Sequence, residues 1–235
     1  VGALQPRYFI MENVERSKHS NAFAKAYQIL EHSGYGLTAA VLDASLCGTP
    51  QRRKRLFLFG DRQGRHTDLL PFILLAQSTK PMTLRDYFGN KFGIEHYYRH
   101  PRSYARRGIF SIDEPSPTIR GVNRPVPSGY PGHPGDPVPI SPEIRPLTTK
   151  ERSLIQTFPE SFDVSGPKSE IEQIIGNAVP VKLAEFVARR ITEYMTVQGH
   201  NYRDNCLGNY KPAATPQVFE QRPNYGVHVA RALSP

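Results

Sequence analysis

Apolar positions along this chain follow two regular patterns, separated by a stretch that follows neither. Residues 7–11 (RYFIM), 37–42 (LTAAVL) and 56–59 (LFLF) are short, nearly continuous apolar runs. Such runs belong to strands buried in a sheet, and the first reads as a strand of a parallel sheet. Between the first two, Phe23, Ala26, Tyr27 and Leu30 recur at i, i+3, i+4 and i+7, the stripe of an amphipathic helix. Ser20 or Asn21 can cap this helix, and Gly34 and Gly36 stop it. Helical patterning returns at Thr148. With Glu151 three residues on, Thr148 forms a capping box ahead of Leu154, Ile155 and Phe158, and Pro159 ends the helix. Residues 174–180 (IIGNAVP) read as a turn with Pro180 at the first position of a following helix, in which Leu183, Val187, Ile191 and Met195 form the buried stripe.

Strand, helix, strand, turn and strand make half of a doubly wound α/β sheet. No glycine-rich GxGxxG loop follows any of these strands, so a cofactor-binding first half is missing from the pattern. The intervening stretch is different in kind. Between Pro101 and Pro146 lie eleven of the chain's 22 prolines, with Gly121, Gly129, Gly132 and Gly135, which excludes regular helix and long central strands. Tyr97, Tyr98, Tyr104, Ile109, Phe110, Ile112, Ile119, Val122 and Tyr130 supply apolar anchors, so the region reads as a small, irregular, loop-rich domain. Beyond residue 196 the chain is polar, proline-containing and aperiodic, and a loosely ordered tail is expected.

Charge narrows the partner. The net charge is +9, from 30 Lys and Arg against 21 Asp and Glu, and nucleic acid is the natural anionic partner for such a balance. Residues 96–124 carry Arg99, Arg102, Arg106, Arg107, Arg120 and Arg124 against only Asp113 and Glu114. Arginine among aromatic and glycine residues suits phosphate and base-edge contacts, with a solvated basic surface as the plain alternative. A second cluster, Arg52, Arg53, Lys54 and Arg55, follows Gln51 and runs straight into the 56–59 strand. Such a cluster repels itself unless an anion offsets it, and a guanidinium grips a phosphate or base edge with two hydrogen bonds. Glu12 and Asn13 follow the first apolar run, where open α/β sheets place their ligand crevice. The plain alternative there is a loop carboxylate capping the next helix.

No apolar run is long enough to span a membrane and no signal-peptide pattern opens the chain, so a cytoplasmic, DNA-associated location is expected. Cys47 and Cys206 lie in unlike contexts with no second ligand at metal spacing, which argues for a reducing compartment and against a zinc site. The chain begins at Val1 rather than methionine, as the end of a longer polypeptide would.

The ordered set ENV (12–14), PQRRKR (50–55), a variable basic region, RPLTTKERSLIQTFPESF (145–162) and IGNAVP (175–180) resembles the carboxyl-terminal half of a bacterial DNA cytosine-5 methyltransferase of the restriction-modification type. The resemblance covers about residues 1–195 and none of the tail. It implies part of a Rossmann-like, S-adenosylmethionine-dependent methyltransferase sheet at 1–78, a target recognition domain at 79–143, helices returning to the catalytic domain at 144–195, and the tail at 196–235. It assigns Glu12, with Asn13 beside it, to the ring nitrogen of a flipped-out cytosine. Arg53 and Arg55 go to the base and its phosphate, Arg55 being the better base contact. Asn177, Ala178 and Val179 go to S-adenosylmethionine. Arg52, Arg99, Arg106, Arg107, Arg120 and Arg124 fall to duplex DNA. Flipping is needed because the reacting ring carbon is shielded inside the duplex.

The family's nucleophilic Pro-Cys pair and its cofactor loop lie upstream of ENV, and neither is in this sequence. Cys47 sits in the link to the arginine motif, where a structural role is expected. Without a nucleophile this polypeptide by itself should be inactive. Three readings stay open: the second half of a single-chain enzyme, one subunit of a split enzyme, or a catalytically dead DNA-binding or regulatory module. Half a sheet leaves the edge of the RYFIM strand unpaired and its faces partly uncovered, which is an aggregation hazard.

Overall fold

The computed structural model describes residues 1–163 and 165–198. Its main sheet is built from β1 (Tyr8–Val14), β2 (Gly36–Asp43) and β4 (Lys54–Asp61), with α1 (Asn21–His32) between the first two and the short β3 (Gln51–Arg52) just ahead of β4. The spatial order is β1-β4-β2, and β4 runs antiparallel to both neighbours. The parallel reading of residues 7–11 is therefore corrected. An apolar run reports burial and not strand direction, and the 44–53 link from β2 to β4 is too short for the crossover that a parallel pair needs. A second correction follows from the same strand. β1 continues to Val14, so Glu12 and Asn13 lie within it rather than past its carboxyl end.

Both faces of β4 are covered. On one side Leu58 packs with Leu30, Tyr35 and Leu37, together with Phe9, Met11, Phe23 and Tyr27, under α1. On the other, Leu42, Phe57 and Phe59 meet Leu69 and Ile73 at α2 (Leu70–Ala76) and Leu183, Val187 and Tyr194 of α6 (Val181–Val197). Ile191 and Met195 pack at the margin of this second cluster, so the stripe expected for α6 faces the sheet. Ser20 caps α1 by accepting the Phe23 N–H at 3.1 Å, and Gly34 reverses the chain after it with a φ of +83°.

The proline-rich region has its own small core. After α3 (Leu84–Phe88), β5 (His96–Tyr98) pairs antiparallel with β6 (Ile109–Ser111), and β7 (Ser116–Pro117) pairs parallel with β3. Tyr97, Phe110, Ile112 and Ile119 pack with Leu147, with Ile155 of α4 (Thr149–Ile155) and with Ile175 of α5 (Lys168–Asn177). Of the anchors expected here, Tyr104 and Val122 are exposed. Thr148 and Glu151 do form the capping box of α4. The helix stops at Ile155 rather than at Pro159, because Thr157 adopts a φ of +60°. Residues 174–177 are the last turn of α5 rather than part of a loop, and Pro180 precedes α6 instead of opening it. Only Ile171 and Ile175 mark the inner side of α5, too sparse a stripe for periodicity to reveal.

Asp136 ties the loops of this region together. It accepts the N–H groups of Gly108, Ile109 and His133, each at 2.9 Å, and the Tyr130 hydroxyl at 2.7 Å. Burial pushes its carboxyl upward, but the bonds from Tyr130, Ile109, Gly108 and His133 outweigh this and hold it below the ordinary aspartate value. Because the folded-state value is depressed, the stability it contributes is present above the unfolded value of about 3.9 and is lost as pH falls through the folded value. Urea midpoints for the native chain should therefore fall as pH drops below about 4, and Asp136→Asn should flatten that acid limb. An unchanged acid limb in the variant would contradict this. The tail from residue 199, with Cys206, lies outside the described residues. Among the described residues no helix is long and apolar enough to cross a membrane.

Candidate active site and nucleic-acid interface

The candidate site lies on the seam between β1 and β4. Register sets Glu12 opposite Phe57 and Val14 opposite Arg55, so Glu12 and Arg55 are diagonal neighbours on one face. Their side chains form an ion pair, Arg55 Nε to Glu12 Oε1, at 2.8 Å. Glu12 Oε1 is enclosed and taken up by this pair, while the Glu12 side chain as a whole is half-buried. Burial draws the Arg55 guanidinium below its ordinary value, and Glu12 works against that shift. Asn13 is exposed, and its side-chain oxygen accepts the Val14 N–H at 2.8 Å.

The cation run alternates as an extended chain must. Gln51 and Arg53 are buried, while Arg52 and Lys54 are exposed. Arg53 is 2% exposed and donates to the carbonyls of Ile119 at 3.0 Å and Gly176 at 2.9 Å. Burial, and then the charge of Arg55, push it down to about 10. It joins the arginine motif to the loop region and to the end of α5. Gln51 does the same with its amide: its oxygen accepts the Ile119 N–H and its nitrogen donates to Gln156 Oε1, both at 2.9 Å. Gln156 passes the chain on to the carbonyls of Ile175 and Ala178. Both glutamines lie inside the sequence motifs, but no pattern along the chain signals their role.

The 177–179 turn is fixed by these contacts. Gly176 packs so closely that a Cβ there would lie 2.2 Å from the Gly121 nitrogen. Asn177 is exposed, Ala178 is half-buried, and Val179 packs against the cluster holding Leu42 and Phe57, on the sheet face that carries Glu12 and Arg55. Cys47 lies in that same core at 4% exposure, and burial above all pushes its thiol up to about 11. A thiol so placed is a poor nucleophile.

The basic residues of the loop region do not act as one group. Arg107 pairs with Glu114 and lies over the Phe110 ring at 4.3 Å. Arg106 is exposed. Arg99, Arg120 and Arg124 line one cleft together with His100, Asn123 and Arg152. Arg152 is itself buried against Glu172 at 2.7 Å, a pairing that periodicity could not reveal because its partners sit on different helices.

Among solved structures the fold matches the S. pombe Dnmt2 methyltransferase, with a TM-score of 0.52 at 16% identity over 83% of this chain and 68% of that one. It also matches a Spodoptera frugiperda DNMT2 variant, with a TM-score of 0.53 at 17% identity over 79% and 66%. The chain thus has the mixed α/β fold of methyltransferases. The family model for C-5 cytosine-specific DNA methylases matches residues 1–193, and the chain belongs to that family. It is similar to the type II methyltransferase M.HindV of Haemophilus influenzae, at 55% identity over 192 residues, covering 81% of this chain and 63% of that protein. It is similar also to M.HgiDI of Herpetosiphon aurantiacus, at 54% over 193 residues, covering 82% and 62%. The chain therefore spans just under two thirds of the length of these relatives.

Proposed function

We propose that this chain supplies the base pocket and DNA-reading surface of a DNA cytosine-5 methyltransferase of the restriction-modification type. The observation that carries this reading is the Glu12–Arg55 pair, held at 2.8 Å on one face of the β1–β4 seam with the Glu12 side chain only half-buried. Glu12 faces the ring nitrogen of a cytosine turned out of the duplex, takes up a proton from solvent and passes it to that nitrogen, which makes the sixth ring carbon electrophilic. Arg55 orients Glu12 and donates to the base. Arg53, buried on two carbonyls, holds the motif in place. Asn13, exposed beside Glu12, flanks the pocket. Arg52 is exposed on the same motif and contacts duplex DNA, as do Arg99, Arg120 and Arg124 from their cleft, while Arg106 and Arg107 lie apart from it.

S-adenosylmethionine, the methyl donor of this family, supplies an electrophilic methyl group when bound. The residues present fit part of such a site. Asn177 offers an exposed amide, Val179 an apolar edge, and the Ala178 carbonyl is already taken by Gln156. The remainder of the cofactor site and the thiolate nucleophile come from protein outside these 235 residues, in cis or as a separate subunit. We place that protein along β1, whose outer edge has no strand partner among the described residues and which exposes Ile10 at 51% and Val14 at 48%. A DNA-binding module without turnover is the alternative. The Glu12–Arg55 pair favours the enzyme, because DNA binding alone has no use for a carboxylate in a base pocket.

The experiment is methyl transfer to duplex DNA by this chain combined with a polypeptide that carries the Pro-Cys segment. Arg55→Ala should lower the rate about 10²-fold or more, the usual loss when one preorganised donor is removed from a charged site. A rate within a few-fold of the native chain would reject the assignment.

A further inference from the structure

We propose that Arg99, Arg102, Arg120 and Arg124, gathered around His100, clamp a phosphodiester of the DNA backbone at a fixed offset from the Glu12–Arg55 pair. This rests on the DNA-methylation reading above and extends it from a general basic surface to a defined phosphate site. The observation behind it is a contrast among the arginines of this chain. Arg85, Arg107, Arg145 and Arg152 each sit on a carboxylate. Among the described residues, none of the four clamp arginines has an ion-pair partner. Glu172, the carboxylate beneath the cleft, is occupied by Arg152, by the Thr149 hydroxyl at 2.8 Å and by the Asn123 amide at 3.5 Å.

Their charges also press on one another. Burial first, and then Arg120 and other neighbours, push Arg99 down to about 10. Arg120 is drawn down by burial and by Arg102 and Arg124, and His100 by burial and by Arg124 and Arg120. Uncompensated like charges in a partly dry cleft are stabilised by an anion. The geometry suits a phosphate. Arg99 and Arg120 are half-buried and held in place, Arg99 by the Thr118 carbonyl at 2.9 Å and Arg120 by the His100 carbonyl. Arg102 and Arg124 are exposed at the rim. Guanidiniums converging from two loops can address separate oxygens of a tetrahedral anion.

The offset from the base pocket is built into the backbone. The Thr118 hydroxyl donates to the Arg52 carbonyl at 2.8 Å, Ile119 is gripped by Gln51 and Arg53, and β7 pairs with β3. The segment 116–120 is thereby stapled to residues that run directly into Arg55. A phosphate bound at the clamp sets the position of the strand relative to Glu12 without reading its sequence.

The test is titration of a duplex with the full chain over a range of salt concentrations, comparing the native protein, Arg102→Gln/Arg124→Gln and Arg189→Gln on the exposed face of α6. Both clamp substitutions are at exposed positions, and circular dichroism checks the fold. Every phosphate that the variant no longer neutralises should flatten the slope of log K against log salt by about 0.9. We expect the double variant to flatten by about 0.9, the single clamped phosphate, on specific and scrambled duplexes alike, with Arg189→Gln unchanged. An unchanged slope in the double variant overturns the clamp. A second arm titrates inorganic phosphate and follows the His100 ring signals by NMR. If duplex does not bind but phosphate shifts His100 in the native chain and not in the double variant, the anion site stands and the DNA reading falls. If neither ligand binds, the clamp is rejected.

Discussion

Glu12→Gln is expected to abolish most methyl transfer while leaving DNA binding intact. The substitution keeps the size of the side chain and its place beside Arg55, and removes only the ability to carry negative charge and to take up and pass on a proton. Loss of a positioned acid–base group costs about 10²- to 10⁴-fold in rate. The variant, assembled with the nucleophile-bearing polypeptide, should show this loss in single-turnover transfer from labelled S-adenosylmethionine. Its affinity for duplex DNA should stay within a few-fold. Arg55→Ala should act in the same direction, and because the two side chains touch at 2.8 Å, the double variant should be less impaired than the product of the two losses. A Glu12→Gln protein that transfers methyl groups at the native rate would remove Glu12 from the chemistry.

Glu172→Ala should produce the largest loss of stability. Glu172 is 2% exposed and Arg152 is 5% exposed, and the substitution would leave the Arg152 charge buried without its partner. Thr149 would lose its acceptor as well. Breaking a buried pair from one side typically costs about 3–5 kcal/mol. For a chain of this size that corresponds to a melting-temperature drop of roughly 6–20 °C, measurable by the loss of helical circular dichroism. Replacing both partners by apolar residues, Arg152→Met with Glu172→Leu, should recover much of the loss. A single variant that melts with the native protein would show that the pair bears little weight in the fold. The same pair supports the loop region, since Arg152 donates to the carbonyls of Arg120 and Val122.

Local signals in the sequence marked much of this architecture. The Ser20 cap, the Thr148 capping box and the four-residue stripe of α6 depend on neighbours along the chain, and the structure contains each of them. Strand direction depends on the length of the connection and on what lies beside the strand, so the RYFIM run disclosed a strand without its antiparallel pairing. Residues 174–177 were hidden by composition: Gly176 and Asn177 look like turn residues, yet Gly176 is at the end of a helix because only glycine lets the backbone of Gly121 approach. The site divided in the same way. Glu12 and Arg55 stood out as charged residues bordering apolar runs, and register brings them together. The run from Arg52 to Arg55 concealed that alternate residues turn inward, so the buried role of Arg53 emerged only with the extended backbone. Gln51 and Gln156 are 105 positions apart in sequence and meet only in the folded chain, where the residue capping α4 reaches the Gln51 amide.

The most direct test is methyl transfer measured for the chain alone, for a polypeptide carrying the Pro-Cys segment and cofactor loop alone, and for the two together. The expected result is no incorporation of labelled methyl groups into duplex DNA by either part, and incorporation at cytosine by the mixture. Turnover by this chain alone would contradict the proposed division of the enzyme, because the nucleophile would then have to lie within these residues. A folded, DNA-binding mixture with no turnover would contradict it from the other side, leaving a binding module in place of an enzyme.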